Sequence, residues 1–315
     1  MLCLMGALGR GVGLPKGTVR IFGVLAIPLG ILCSRVVFCL CNISLFTEIY
    51  ENPLLMLRFF DGGLSMTGVL IGLVLAAILT ARCLKTPAGR LIDVMTIPLG
   101  LFIAACRAAE SFTSLGVGKP VEESAITAAA PWLFITEISG INVEYRLAVY
   151  RFEAVAALLI FIWIIFLALR TRKEKRVHHG DVALIFFSLY GASQMVLESL
   201  RDDGHLLIIF LRAAQVGAVL MPVAATAVFS RRYARIRGVD RRIVVSWVIV
   251  LLSVAAGVLL EFSLDGRLSW GQPSTLRDTL LEAVLAILLF AVPFTLFQKL
   301  RNTVYDQGRI MARRP

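Results

Sequence analysis

Residues 60–72 read FDGGLSMTGVLIG. Asp61, Gly62 and Gly63 lead into an apolar run that continues without a charge from Leu64 to Ala81. An α-helix rises 1.5 Å per residue, so about 20 mostly apolar residues cross the hydrocarbon core of a bilayer. Seven further segments have that character: Val19 to Cys41, Leu91 to Ala109, Ala148 to Leu169, Val182 to Leu200, Leu206 to Phe229, Ile243 to Phe262, and Leu280 to Phe297. Asp93, Arg107, Gln194 and Glu198 interrupt the third and fifth of the eight.

Composition agrees with that reading. Of the 315 residues 58% are hydrophobic and 17% charged, and the mean hydropathy is +0.83. Water-soluble domains are about half apolar and about a quarter charged. The chain therefore reads as an all-α, polytopic integral membrane protein with about eight transmembrane helices.

Charge placement sets an expected orientation, because Lys and Arg concentrate in loops that stay cytoplasmic. The N-terminal arm and the loops after the second, fourth and sixth segments, together with the tail, hold 22 of the 32 basic residues. These are alternate loops, which predicts both termini on the cytoplasmic side. Acids including Glu48, Glu51, Glu110, Glu122, Glu123 and Asp202 fall on the opposite loops. A net charge of +11 would elsewhere suggest nucleic acid. Here the basic runs flank spans and need only anionic headgroups, so no nucleic-acid partner is expected.

The first apolar segment exceeds a signal-peptide core and reads as an uncleaved span. Cys3, Cys33, Cys39, Cys41, Cys83 and Cys106 show no C-x-x-C pairing, which supports neither a disulfide framework nor a zinc site. No metal or other cofactor is expected. The one long connection, between Arg107 and Arg146, is acidic and punctuated by Gly and Pro, and should fold as a small element outside the membrane. The expected organisation is a cytoplasmic arm over 1–18 and a membrane domain over 19–230 with an extracytoplasmic loop at about 108–146. A basic loop, two further spans and a basic tail follow over 231–315.

Several motifs recur in the order of one family. Asn52, Pro53 and Leu54, then Asp61, Gly62, Gly63, Ser65, Gly68, Ile71 and Gly72, match an NPL…DGG-x-S-x-HGG-x-IG pattern, with Thr67 at the histidine. Asp93, Arg107 and Gly118 fit a D…R…G segment in which Glu110 stands for an asparagine. Glu153, after Phe152, fits a tyrosine–glutamate pair. Tyr190, Gly191, Glu198 and Arg201 fit YG-x-x-R-x-x-x-EF-x-R, with Gln194 at the first arginine, and Gln215 and Pro222 follow. These stretches resemble the bacterial prolipoprotein diacylglyceryl transferases over about Leu25 to Val228. The usual first span is missing and two spans are added after the last.

That resemblance implies helices around a lipid-accessible cavity in the bacterial cytoplasmic membrane. Phosphatidylglycerol, or a related phospholipid, would give its diacylglyceryl group to the cysteine thiol of a prolipoprotein. A thiolate attacks the glycerol C3 carbon and sn-glycerol-1-phosphate leaves, so the site needs a base and cations.

On that basis Thr67, Glu110 and Gln194 occupy the catalytic positions. Asp61, Gly62, Gly63, Arg107, Gly118, Tyr190, Glu198, Arg201 and Arg212 form the expected substrate-binding set. Arg107 can grip phosphate bidentately or snorkel to an interface. Arg201 and Glu198 share a helix face and can pair with each other. Arg212, read as lying inside the sixth span, could replace the cation lost at Gln194 or could snorkel.

Threonine cannot take a proton near neutral pH as imidazole does. Glu110 and His205 are the outer-side candidates for a base, while His178 and His179 lie in a basic loop. Asp93 reads as a cap or a partner of Arg90. The alternative to a divergent transferase is a non-catalytic lipid-binding membrane protein derived from that family. A solute transporter is disfavoured because the halves show no repeat of broken helices.

Overall fold

In lipid every backbone N–H and C=O must find a partner within the chain, and a helix achieves this along its own length. The computed structural model accordingly shows, among the described residues, eight helices long and apolar enough to cross a membrane. They are α2 (Thr18–Cys41), α3 (Met66–Cys83), α4 (Ala88–Ala109), α6 (Val149–Glu174), α7 (Asp181–Ser199), α8 (Ala213–Arg237), α9 (Arg241–Leu264) and α10 (Thr275–Met311). Two shorter helices are α1 (Leu2–Val12) and α5 (Ala125–Ala129). The structure describes all residues except 44, 50–51, 114, 122–124, 140–141, 175–177, 203–206, 209–210, 265–274 and 312–315. The protein is an all-α polytopic membrane protein.

Several helices run past the apolar segments, α8 to Arg237 and α10 to Met311 among them, and two starts are shifted inward. The second span begins at Met66, because Gly62 (φ 79°) and Gly63 (φ 69°) end a helical turn and Ser65 is still extended. The sixth begins at Ala213, since β4 (Leu207–Ile208) pairs antiparallel with β5 (Leu211–Arg212). Arg212 therefore lies on a strand, not inside the span. A short apolar run rich in Leu and Ile suits strand or helix equally, and periodicity does not separate them.

The chain divides into two compact units. The first comprises Met1–Leu99, His178–Ala183 and Leu206–Gly217. Its centre is the α2–α3 pair. A Cβ on Gly68 would overlap the backbone at Cys33 and Ser34, and one on Gly72 would overlap that of Leu29 and Gly30. Glycines four apart put two contact points on one face of α3, and small residues let membrane helices approach this closely.

Arg35 of α2 organises the connection between these helices. Its guanidinium donates to the carbonyls of Leu55 (3.0 Å), Met56 (3.0 Å), Gly62 (2.6 Å) and Gly63 (3.3 Å), and it stacks on Phe38 and Phe46. The Ser34 hydroxyl donates to the Ser65 carbonyl at 2.9 Å. In the same unit Asp93 caps the start of α7, accepting from the backbone N–H groups of Gly180 (2.7 Å) and Ala183 (2.9 Å). Sequence reading allowed a capping role for Asp93, and the helix it caps is α7.

The second unit comprises Gly100–Val177, Leu184–His205 and Ala218–Pro315. Its α7 and α8 meet at Gly191, where a Cβ would overlap the Ala218 carbonyl. Aromatic contacts join α10 to its neighbours: Trp163 of α6 lies 6.0 Å from Phe290 and 5.8 Å from Phe294, and Phe229 of α8 lies 5.8 Å from Phe297. Between α4 and α6, β1 (Pro120–Val121), β3 (Asn142–Leu147) and β2 (Phe134–Ser139) form an antiparallel sheet in the order β1-β3-β2.

The four carbonyls held by Arg35 generate a test. Hydrogen bonds to a charged donor are worth about 1.5–3 kcal/mol each. Arg35→Lys should speed amide hydrogen exchange across residues 52–65 by about tenfold or more, with α9 unchanged as an internal reference. Equal exchange in the two proteins would show that the arginine does not hold this loop.

Candidate functional site

Within the second unit, residues from three helices and one loop meet around a carboxylate. Glu153 of α6 is fully buried. Arg201, just past the end of α7, donates to Glu153 Oε2 at 2.8 Å, and the Arg107 Nη2 of α4 stands 3.3 Å from Glu153 Oε1. Arg107 Nη1 donates to Glu110 Oε1 at 2.6 Å, one helical turn on. Its Nη2 donates to Gln194 Oε1 at 3.3 Å. Tyr190, one turn before Gln194 on α7, is buried with its phenol beside Arg107 and its ring stacked on Phe186.

Local chain geometry holds these groups in place. Gly118 bridges antiparallel to Arg201, and its N–H donates to the Leu147 carbonyl at 2.8 Å, while the Asp202 N–H donates to Val117 at 2.8 Å. The Tyr150 N–H donates to Gly116 at 2.9 Å, which ties the same loop to the first turn of α6. A Cβ on Gly118 would fall 2.9 Å from the Leu200 carbonyl oxygen, and one on Gly116 (φ 75°) would fall 2.5 Å from Glu110 Oε2. Only glycine leaves room for the loop at the first and for the carboxylate at the second.

Charge in this cluster nearly closes on itself. Arg107 and Arg201 face Glu110 and Glu153, and each side chain is at most about one-sixth exposed. Buried ions persist only when paired and hydrogen-bonded. Three polar atoms of the cluster make no hydrogen bond among the described residues, one of them Glu153 Oε1, which has only the ion pair with Arg107. Glu110 Oε2 accepts no hydrogen bond and lies 3.6 Å from Arg201, and the Arg107 Nε donates none. Among the described residues no cluster of His, Cys, Asp and Glu is suited to a metal ion.

The structure brings Arg107, Glu110, Gln194, Tyr190, Arg201 and Gly118 into one neighbourhood, with Glu198 buried on the last turn of α7. Thr67, Gly62, Gly63 and Arg212 belong to the first unit, as does the backbone of Asp61. There Thr67 faces α8: a Cβ on Gly217 would lie 2.8 Å from Thr67 Cγ2. Arg212 is buried on β5. His205 lies outside the described residues, and His178 and His179 are exposed next to the start of α7.

Sequence reasoning noted Glu153 only as a weak family match, and it missed Arg35 as an organiser. The available signal was the same for both: a charge within or beside an apolar span is costly and needs a partner.

The geometry gives unequal roles to the two acids. Removing one member of a buried pair costs about 3–5 kcal/mol. Glu153→Gln, which leaves two guanidiniums facing each other, should lower unfolding stability in detergent by about 3 kcal/mol. Glu110→Asn, at the partly exposed edge, should cost about 1 kcal/mol or less. Equal losses in a denaturant titration would contradict the central position of Glu153.

Known proteins carry the same arrangement of sequence. The family model for prolipoprotein diacylglyceryl transferase matches residues 7–231. A phosphatidylglycerol–prolipoprotein diacylglyceryl transferase of Bacillus licheniformis is 26% identical over 238 residues, covering 74% of this chain and 83% of the relative. One from Symbiobacterium thermophilum is 28% identical over 222 residues, covering 70% and 79%. One from Thermotoga petrophila is 30% identical over 236 residues, covering 70% and 72%. With about seven-tenths of its length matched and eight spanning helices in place, the chain belongs to the prolipoprotein diacylglyceryl transferase family.

Proposed function

We propose that the protein transfers a diacylglyceryl group from phosphatidylglycerol to the cysteine thiol of a prolipoprotein, in a bacterial cytoplasmic membrane with both its termini inside. The transferase region is 19–230, and 231–315 is an addition to it. In this reading an S–C3 bond forms, the C3–O bond to phosphate breaks, and sn-glycerol-1-phosphate leaves with the electron pair. Arg107 and Arg201 carry the phosphate charge, held at the correct spacing by Glu153. Gln194 and Tyr190 orient Arg107. Gly118 lets the loop approach Arg201.

The observation that carries the mechanism is Glu110 Oε2, which accepts no hydrogen bond and lies 3.6 Å from Arg201. A carboxylate oxygen with no donor of its own can take the thiol proton. Thr67 cannot, because a hydroxyl accepts a proton only far below neutral pH. Glu110 thus supplies the base from an asparagine position of the family, where the histidine position holds threonine.

A second reading has its own support. Glu110 and Glu153 already occupy donor edges of both arginines, which reduces what a phosphate can gain by binding. A lipid-binding protein without transferase activity would show that arrangement.

A strain depleted of its own diacylglyceryl transferase, supplied with this chain and a reporter prolipoprotein, distinguishes the two. General-base catalysis contributes roughly 10²–10⁴-fold. Wild type should lipidate the reporter, Glu110→Gln should reduce the rate at least about a hundredfold, and Thr67→Ala should change it less than about fivefold. Lipidation that survives Glu110→Gln removes Glu110 as the base. No lipidation by well-inserted wild type, with phosphatidylglycerol still bound, establishes the second reading.

A further inference from the structure

Residues beyond 231, which the family model does not match, line an open cavity of their own. It has a volume of about 660 Å³ and lies between the last turns of α8, the first turns of α9 and the C-terminal half of α10. Its lining has two kinds of surface. Arg237, Arg241, Arg242 and Lys299 form one, and Val245, Ile249, Val292 and Leu296 form the other.

The single acid in the lining is already engaged. Asp240 Oδ1 accepts from the backbone N–H groups of Arg242 (3.0 Å) and Ile243 (3.2 Å), capping α9, and its Oδ2 accepts from the Tyr233 hydroxyl at 3.2 Å. Arg242 in turn donates to that hydroxyl at 3.4 Å. Among the described residues no carboxylate pairs with Arg237, Arg241 or Lys299, each of which is exposed. Four cations against one acid leave a formal charge of +3 at the start of a 24-residue helix, whose dipole adds to the positive field.

We propose that this cavity binds one anionic glycerophospholipid from the leaflet on the basic side of the protein. The phosphodiester sits among Arg237, Arg241 and Lys299, and the acyl chain follows the apolar wall of Val245, Ile249 and Leu296. A basic pocket between spanning helices has the chemistry that anionic headgroups require. Charge without the apolar wall would suit any soluble phosphate, whereas the two surfaces stacked in depth match an amphiphile. The site is separate from the Arg107–Glu153–Arg201 cluster and does not rest on the transferase reading. It gives the added helices α9 and α10 a lipid of their own.

Native mass spectrometry on the full chain, delipidated and then titrated with dioleoylphosphatidylglycerol or dioleoylphosphatidylcholine, tests the assignment. One phosphatidylglycerol per chain, in addition to any held at the Arg107 cluster, should be retained at least tenfold more tightly than phosphatidylcholine. The triple variant Arg237→Gln, Arg241→Gln, Lys299→Gln should weaken that one lipid on the order of a hundredfold, at about a factor of five for each surface charge. Any lipid at the Arg107 cluster should remain. Val245→Trp, which keeps every charge and fills the wall, should expel the same lipid and carries the test if the triple variant does not fold. Equal retention of phosphatidylcholine, no loss in either folded variant, or displacement by millimolar inorganic phosphate or glycerol phosphate would each overturn the proposal.

Discussion

Glu153 holds two guanidiniums from elements far apart in sequence, and it does so from a fully buried position. Arg107 comes from the end of α4, Arg201 from just past α7, and Glu153 from the second turn of α6. A carboxylate taken out of water needs compensating cations, and the two arginines need it in turn. The helix ends, the Gly116–Gly118 loop and the Gly118–Arg201 bridge are therefore specified together. A change at any of them disturbs a charge balance and not only a packing contact.

The same balance shapes what the site can do. Gln194 supplies a neutral acceptor to Arg107 where the family pattern has a third cation, and Glu110 supplies a charge where it has an amide. Both departures make the neighbourhood less positive. In the proposed reaction this leaves the Glu110 carboxylate, beside the guanidiniums, as the proton acceptor.

The eight spans were legible because lipid imposes helices of a fixed length, and their number follows from apolar runs of about 20 residues. The start of the sixth was not, because Leu207–Ile208 pairs antiparallel with Leu211–Arg212, apolar strands that look like the beginning of a helix. Arg107, Gln194 and Glu198 stood out as polar groups in apolar runs. The dominance of Glu153 over Glu110 was hidden, since burial and partner geometry depend on which helices meet. Arg35 sat in plain view within the first span, yet its role depends on four loop carbonyls that no side-chain pattern reports. The sheet formed by β1, β2 and β3 was passed over although Asn142 to Leu147 alternates polar and apolar residues, because that six-residue pattern lies in a long, mixed, acidic connection read only as a small element.

The account rests on the Arg107–Glu153–Arg201 bridge being where a phospholipid headgroup binds. A structure of the protein in nanodiscs containing phosphatidylglycerol tests this most directly. A lipid phosphate is expected within hydrogen-bonding distance of Arg107 or Arg201, with Glu153 still joining them. A bridge with no phosphate near either arginine, in a protein that nonetheless lipidates its acceptor, would contradict it.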